Sequence, residues 1–212
     1  DDGAQRHAQD GRPALAAGSD RTLFTAELRP GVRPGIVTKR IELRRGQTAV
    51  YCEHEIRGMR GPMCLGHHAM LRFDRDTGPG RLWLGRARGQ VCPQPWEDPA
   101  QGGYSCLRPG ARFSRLDRVP LAAGGQADLT RFPAREGFED LVLVTRDRTR
   151  RLAWTTVTFP AARYLWFACK DPRQLASTVL WHSHGGRHYP PWNGRHRGVL
   201  GLEEVTAYFH HG

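Results

Sequence analysis

Residues 23–46, LFTAELRPGVRPGIVTKRIELRRG, carry a period of two. Phe24, Ala26 and Leu28 make one apolar face, alternating with Leu23, Thr25 and Glu27. Val37, Lys39, Ile41 and Leu43 line one face of the next segment, which ends in the turn Arg45-Gly46. Successive side chains of an extended chain point to opposite faces, so this alternation predicts β-strands; a helix would repeat every three or four residues. Thr48 to Ile56 continues the pattern, and Arg57-Gly58 through Gly61-Pro62 closes it as a loop.

Outward from there, the same reading predicts strands over Met63 to Phe73 and Arg81 to Val91. Others follow over Asp140 to Thr145, Leu152 to Phe159, Tyr164 to Lys170, Thr178 to His184 and Val199 to Phe209. Roughly ten strands separated by turn signals predict an all-β fold, an antiparallel β-sandwich. The only helical feature expected is a short turn near Pro172 to Ala176. Residues 93–103 and 117–138 read as long loops, which in compact domains are often functional. Residues 1–20 read as a flexible tail and 21–212 as a single domain.

The formal net charge is +11, yet only Lys39 and Lys170 among the 32 basic residues are lysine. Asn193 is the sole asparagine. So general a preference for arginine points to coding bias rather than to selection for phosphate contacts. The arginines are scattered, without the basic stripe and stacking aromatics that a polynucleotide requires, so no nucleic-acid partner is expected. No apolar run approaches the length of a membrane-spanning helix, and no membrane partner is expected. Cys52, Cys64, Cys92, Cys106 and Cys169 form neither a paired framework nor a zinc pattern. Most of them read as small buried hydrophobes. The chain opens Asp-Asp-Gly without an initiator Met, and a missing leading segment is expected; cytoplasmic and exported locations both stay open.

Three constellations could carry chemistry. Within Gly66-His67-His68-Ala69-Met70-Leu71, alternation sends the two histidines to opposite faces: His68 with Met70 and Arg72, His67 with Ala69, Leu71 and Phe73. Imidazole titrates near neutrality and can act as acid or base. Glu203 and Glu204 are likewise split, Leu202 and Glu204 to one side, Gly201, Glu203 and Val205 to the other. Each carboxylate either pairs with an arginine, Arg195 or Arg197 being nearest in sequence, or serves as a base whose pKa is raised by burial. The run from Trp181 interleaves aromatic, histidine and arginine residues, and Trp181, Trp192, Tyr189 and Trp96 are candidates to stack on a sugar. Finally, His182 and His184 share one strand face and could chelate a metal, although no downstream carboxylate completes such a site.

Gly66 to Leu71, preceded by Pro62 and Leu65, resembles the Gly-x-His-Pro-Tyr-Phe strand of the aldose 1-epimerase (galactose mutarotase-like) family. Gly201-Leu202-Glu203 resembles that family's Leu-Glu-Pro segment, and Trp181 to Gly186 the strand and glycine stretch before it. The resemblance spans residues 21–212 in order. Ala69-Met70-Leu71 stands in place of Pro-Tyr-Phe, and Glu204 in place of the proline. It implies a β-supersandwich lacking its leading portion, a sugar ligand, and no metal or cofactor. His68 takes the position of the family's general acid and Glu203 that of its general base. Arg195, Arg197, Trp192, Asn193 and His184 are then the expected substrate-binding residues. A non-catalytic carbohydrate-binding domain is the alternative, and a metal-dependent β-barrel enzyme using His182 and His184 a third reading.

Overall fold

Strand-forming alternation becomes antiparallel pairing throughout the chain. The structure, a computed structural model, describes residues 7–8, 13–31, 33–85 and 87–211. The chain divides into two compact units, Asp1–Pro62 and Met63–Gly212, where sequence reading expects one domain from residue 21.

The first unit is a sheet of β1 (His7–Ala8), β2 (Ala14–Ala17), β3 (Arg21–Pro30), β4 (Ile36–Arg44) and β5 (Val50–Arg57). β4 lies between β3 and β5, while β1 and β2 pair with successive stretches of β3. Ala14–Ala17 is thus strand where a tail is expected; residues 1–6 and 9–12 of that tail lie outside the described residues. Register sets Phe24 opposite Ile41 and Leu28 opposite Val37, so the two apolar rows quoted above share one face. On the other face Arg40 binds Glu53 (2.6 Å) and Glu55 (2.9 Å), a cross-strand charge ladder.

The second unit contains β6 (Gly66–Arg72), β7 (Gly80–Leu84), β8 (Ala87–Val91), β9 (Arg112–Phe113), β10 (Val119–Pro120) and β11 (Gln126–Ala127). It continues with β12 (Arg131–Phe132), β13 (Glu139–Arg146), β14 (Ala153–Phe159), β15 (Tyr164–Lys170), β16 (Ser177–Ser183) and β17 (Val199–Val205). Six strands run in the order β6-β17-β16-β13-β8-β9, four in the order β12-β7-β14-β15, and β10 pairs with β11. The two larger sheets form an all-β antiparallel sandwich. Leu82, Val142, Val144, Val157, Phe159, Leu180, Leu200 and Leu202, each at most 1% exposed, fill the space between them.

Several boundaries differ from the sequence reading. The run Arg81 to Val91 is two strands: Leu82 pairs opposite Val157 in one sheet and Val91 opposite Val142 in the other, the chain crossing over after β7. Alternation looks the same whichever sheet a strand joins. The last strand ends at Val205 rather than Phe209. Pro172 to Ala176 is a turn in which Asp171 O accepts from the amides of Gln174 and Leu175. Among the described residues the one helix is a 3-10 turn at Pro99–Gln101, capped by the Asp98 side chain. All five cysteines are free, and Cys52, Cys64 and Cys169 are exposed rather than buried.

Buried polar contacts cross the apolar interior, and Arg146 of β13 donates to the Trp154 carbonyl of β14. Lys170 of β15 forms a close ion pair with Glu204 of β17, their side chains 4% and 5% exposed. Glu204 also accepts from Thr155 Oγ1 (3.0 Å) and Thr178 Oγ1 (2.7 Å). Its partner is therefore one of the two lysines, not Arg195 or Arg197. Removing one member of a buried pair strands the other charge without solvent. Lys170→Met should cost about 3–5 kcal/mol in urea unfolding, and Lys170→Met/Glu204→Leu should recover most of that loss.

Candidate active site

With Leu202 and Glu204 facing inward, alternation turns Gly201, Glu203 and Val205 to the outer face of the six-stranded sheet. Antiparallel register sets Glu203 directly opposite His68 on β6, and Glu204 opposite His67. His68 Nε2 lies 3.4 Å from Glu203 Oε1, with the imidazole half-exposed and the carboxylate largely covered. Gly201 sits opposite Trp181 on one side and Met70 on the other. A Cβ there would lie 3.1 Å from Trp181 Cβ, 3.3 Å from Glu203 Oε1 and 3.4 Å from Met70 Sδ. The glycine therefore keeps the sheet surface between Trp181 and Glu203 clear of a side chain.

Burial pushes the Glu203 carboxyl up to about 7. Burial also lowers His68 below the ordinary imidazole value. The two shifts bring the proton affinities of the pair closer together.

An aromatic wall stands beside this pair. The Trp181 ring is 6.4 Å from that of His68 and stacks on His196 at 5.2 Å; Trp192 lies 5.0 Å from His196. Arg187 is held among Trp96, Trp181 and Trp192, at 5.6, 5.1 and 5.0 Å from their ring centres. Its Nε donates to Glu97 Oε1 (2.6 Å), and Tyr189 donates its hydroxyl to Glu97 Oε2 (2.9 Å). Trp181 itself is pinned from below. Its Nε1 donates to Glu139 Oε2 (2.9 Å), and Glu139 also accepts from Ser183 Oγ (2.9 Å) and Gly186 N (3.2 Å). Ser183 Oγ in turn lies 2.5 Å from His196 Nδ1. Glu139 is fully buried, which pushes its carboxyl up.

Of the residues expected from sequence, the structure brings together His68, Glu203, Trp181, Trp192, Tyr189 and Trp96. The others make contacts of their own. Arg197 binds Glu136 (2.5 Å) and the Gly194 carbonyl (2.7 Å), and Arg195 is exposed. Asn193 occupies the left-handed region (φ 49°) of the turn after Trp192, with its amide toward Pro191 O (3.5 Å). His184 lies 6.1 Å from the core ring of Phe132, on the side of the sheet away from Glu203, and its Nδ1 accepts from Gly198 N (3.0 Å). The arginine of the aromatic wall is Arg187, within the interleaved run but two residues ahead of Tyr189. Its anchor Glu97 lies 90 positions earlier in the loop 93–103, the one signal for which was the length of that loop.

His182 also faces inward, 2% exposed, with burial holding its pKa well below the imidazole norm. Nearby in the register Asp140 accepts from Cys106 Sγ (3.1 Å), and burial together with that carboxylate pushes the thiol to about 12. So unreactive a thiol is no nucleophile. Among the described residues the group of three or more His, Cys, Asp or Glu spaced to hold a metal is Cys92, His210 and His211; His182 and His184 belong to no such group.

No protein-family model matches the chain, and no curated protein matches it. A solved structure of a "putative aldose 1-epimerase" from Klebsiella pneumoniae is similar over 93% of this chain, at 12% identity and a TM-score of 0.39. The aligned part is 46% of that structure, so the chain spans about half its length. The functional reading of the site rests on the site's own geometry.

Glu203 makes a pH-dependent contribution to stability. Its folded pKa lies above the unfolded carboxylate value, so its contribution is fully favourable below about pH 4.5 and is lost as pH rises through about 7. Glu203→Gln does not ionise and escapes this loss. Its stability relative to the natural chain should rise by on the order of 3 kcal/mol between about pH 5 and about pH 8 in denaturant titrations.

Proposed function

We propose that the outer face of the six-stranded sheet binds a sugar and that His68 and Glu203 interconvert its anomers by general acid–base catalysis. The observation that carries this reading is the 3.4 Å approach of His68 Nε2 to Glu203 Oε1 beside the Trp181 ring. In a cyclic sugar the anomeric hydroxyl and the ring oxygen are bonded to the same carbon. A base and an acid side by side on one sheet surface can therefore reach both.

Glu203 as carboxylate takes the proton of the anomeric hydroxyl while the His68 imidazolium donates one to the ring oxygen. The C–O bond of the ring breaks, the aldehyde forms, and rotation about the adjacent carbon–carbon bond exposes its other face. Ring closure returns both protons and yields the opposite anomer. Opening converts the pair from imidazolium and carboxylate to neutral imidazole and carboxylic acid. The burial that raises Glu203 and lowers His68 favours the neutral form of each group. Trp181 and Trp192, both partly exposed, stand beside the pair to contact the sugar's C–H groups, with Arg187 held between their rings. The aromatic wall would serve equally in a non-catalytic carbohydrate-binding domain, because it does not involve the acid–base pair.

Polarimetry on freshly dissolved α-glucose and α-galactose tests the proposal. Mutarotation faster than buffer is expected, with a bell-shaped pH profile, because only the singly protonated pair is active. His68→Ala and Glu203→Gln should each lower the rate by about 100-fold or more. A rate equal to buffer, with sugar still quenching tryptophan fluorescence, would instead identify the binding domain. No rate and no binding would remove the sugar reading altogether.

A further inference from the structure

We propose that Cys92, His210 and His211 form a binding site for a thiophilic divalent cation of the zinc class, separate from the His68–Glu203 pair. Their ligand atoms all lie within 4.8 Å of one another, with Cys92 buried and both histidines exposed. Cys92 follows β8, and its amide donates to Leu141 O (3.0 Å), which holds it on the outer face of the six-stranded sheet. The segment after β17 folds back over that face. Phe209 is 7% exposed and packs in the cluster of Cys92, Leu141, Leu143, Val179 and Val205, and Tyr208 donates its hydroxyl to Gln90 Oε1 (3.2 Å). Phe209 adopts a left-handed backbone (φ 54°), costly for a bulky residue, and this turn delivers the next two side chains to the thiol. Trp96 covers His210 at 5.4 Å between ring centres.

The donors decide the cation. One thiol and two imidazoles, with no carboxylate among them, suit zinc, cobalt or nickel and not magnesium or calcium. Three protein ligands leave a fourth position of a tetrahedron for water or another ligand. Binding releases the Cys92 thiol proton to solvent, one proton per ion, and the thiolate remains on the metal. β8 is three strands from β17, so Cys92 lies roughly 14 Å across the sheet from the strand that carries Glu203. The site therefore stands or falls independently of the sugar reading. Through Phe209 and Trp96 the ion would tie the C-terminal segment and the loop carrying Glu97 to the sheet.

Titration of the full chain with Co2+ reads the site directly. One equivalent should bind with a thiolate-to-cobalt charge-transfer band and tetrahedral ligand-field absorption, both abolished by added Zn2+. Cys92→Ala should abolish the charge-transfer band. His210→Ala and His211→Ala alter exposed residues and so report even where Cys92→Ala fails to fold; each should abolish saturation at one equivalent. Zn2+ should raise the Tm of the natural chain and leave that of His211→Ala unchanged. A band that survives Cys92→Ala would place the ion on another thiol, and unaltered binding in the histidine variants would likewise overturn the assignment. So would the absence of any saturable Co2+ binding.

Discussion

The pairing of Lys170 with Glu204 is the constraint on which the rest of this sandwich depends. It joins a strand of the four-stranded sheet to one of the six-stranded sheet, as buried Arg146 of β13 also does through the Trp154 carbonyl of β14. Two threonine hydroxyls complete the carboxylate's shell, so the charge is buried but not stranded. A buried ion pair of this kind contributes little to stability in itself. Its consequence is register. A slip of β17 by one residue would turn Leu200, Leu202 and Glu204 to the outer face and bring Gly201 and Glu203 into the core. With Glu204 held inside, Glu203 must face outward, and antiparallel pairing then sets it opposite His68.

Around that outward carboxylate the molecule concentrates groups whose chemistry depends on being partly dry. Glu203 keeps its proton to about 7 through desolvation and not through a neighbouring negative charge. The wall beside it is rigid for a different reason. Each polar atom that orients a ring is itself fixed: Trp181 by buried Glu139, Arg187 by buried Glu97, His196 by Ser183. The wall is thus a network in which rings are placed by hydrogen bonds made behind them and packed against Arg187 and His196.

Strand existence was legible in the sequence because an extended chain has a fixed side-chain period. Tyr164 to Lys170 coincides with β15, and the rows led by Phe24 and Val37 meet on one face. The split of His67 from His68 and of Glu203 from Glu204 was legible for the same reason. Which member of each pair faced outward was not, because alternation has no reference for inside. The run from Arg81 to Val91 shows the related limit: its period is uninterrupted although its halves belong to different sheets.

By itself the sequence determined a β fold, the opposite-face placement of each doubled residue, and the candidacy of His68, Glu203 and the tryptophans. Only tertiary structure decided that Lys170 rather than an arginine near Arg195 neutralises Glu204. Tertiary structure likewise decided that Arg187 serves the aromatic wall and that Cys92 meets His210 and His211. The physical reason is range. Periodicity is a property of adjacent residues, whereas these partners are brought together by strand pairing and chain return. Glu97 and Arg187 are 90 positions apart, a separation at which local pattern carries no information about contact.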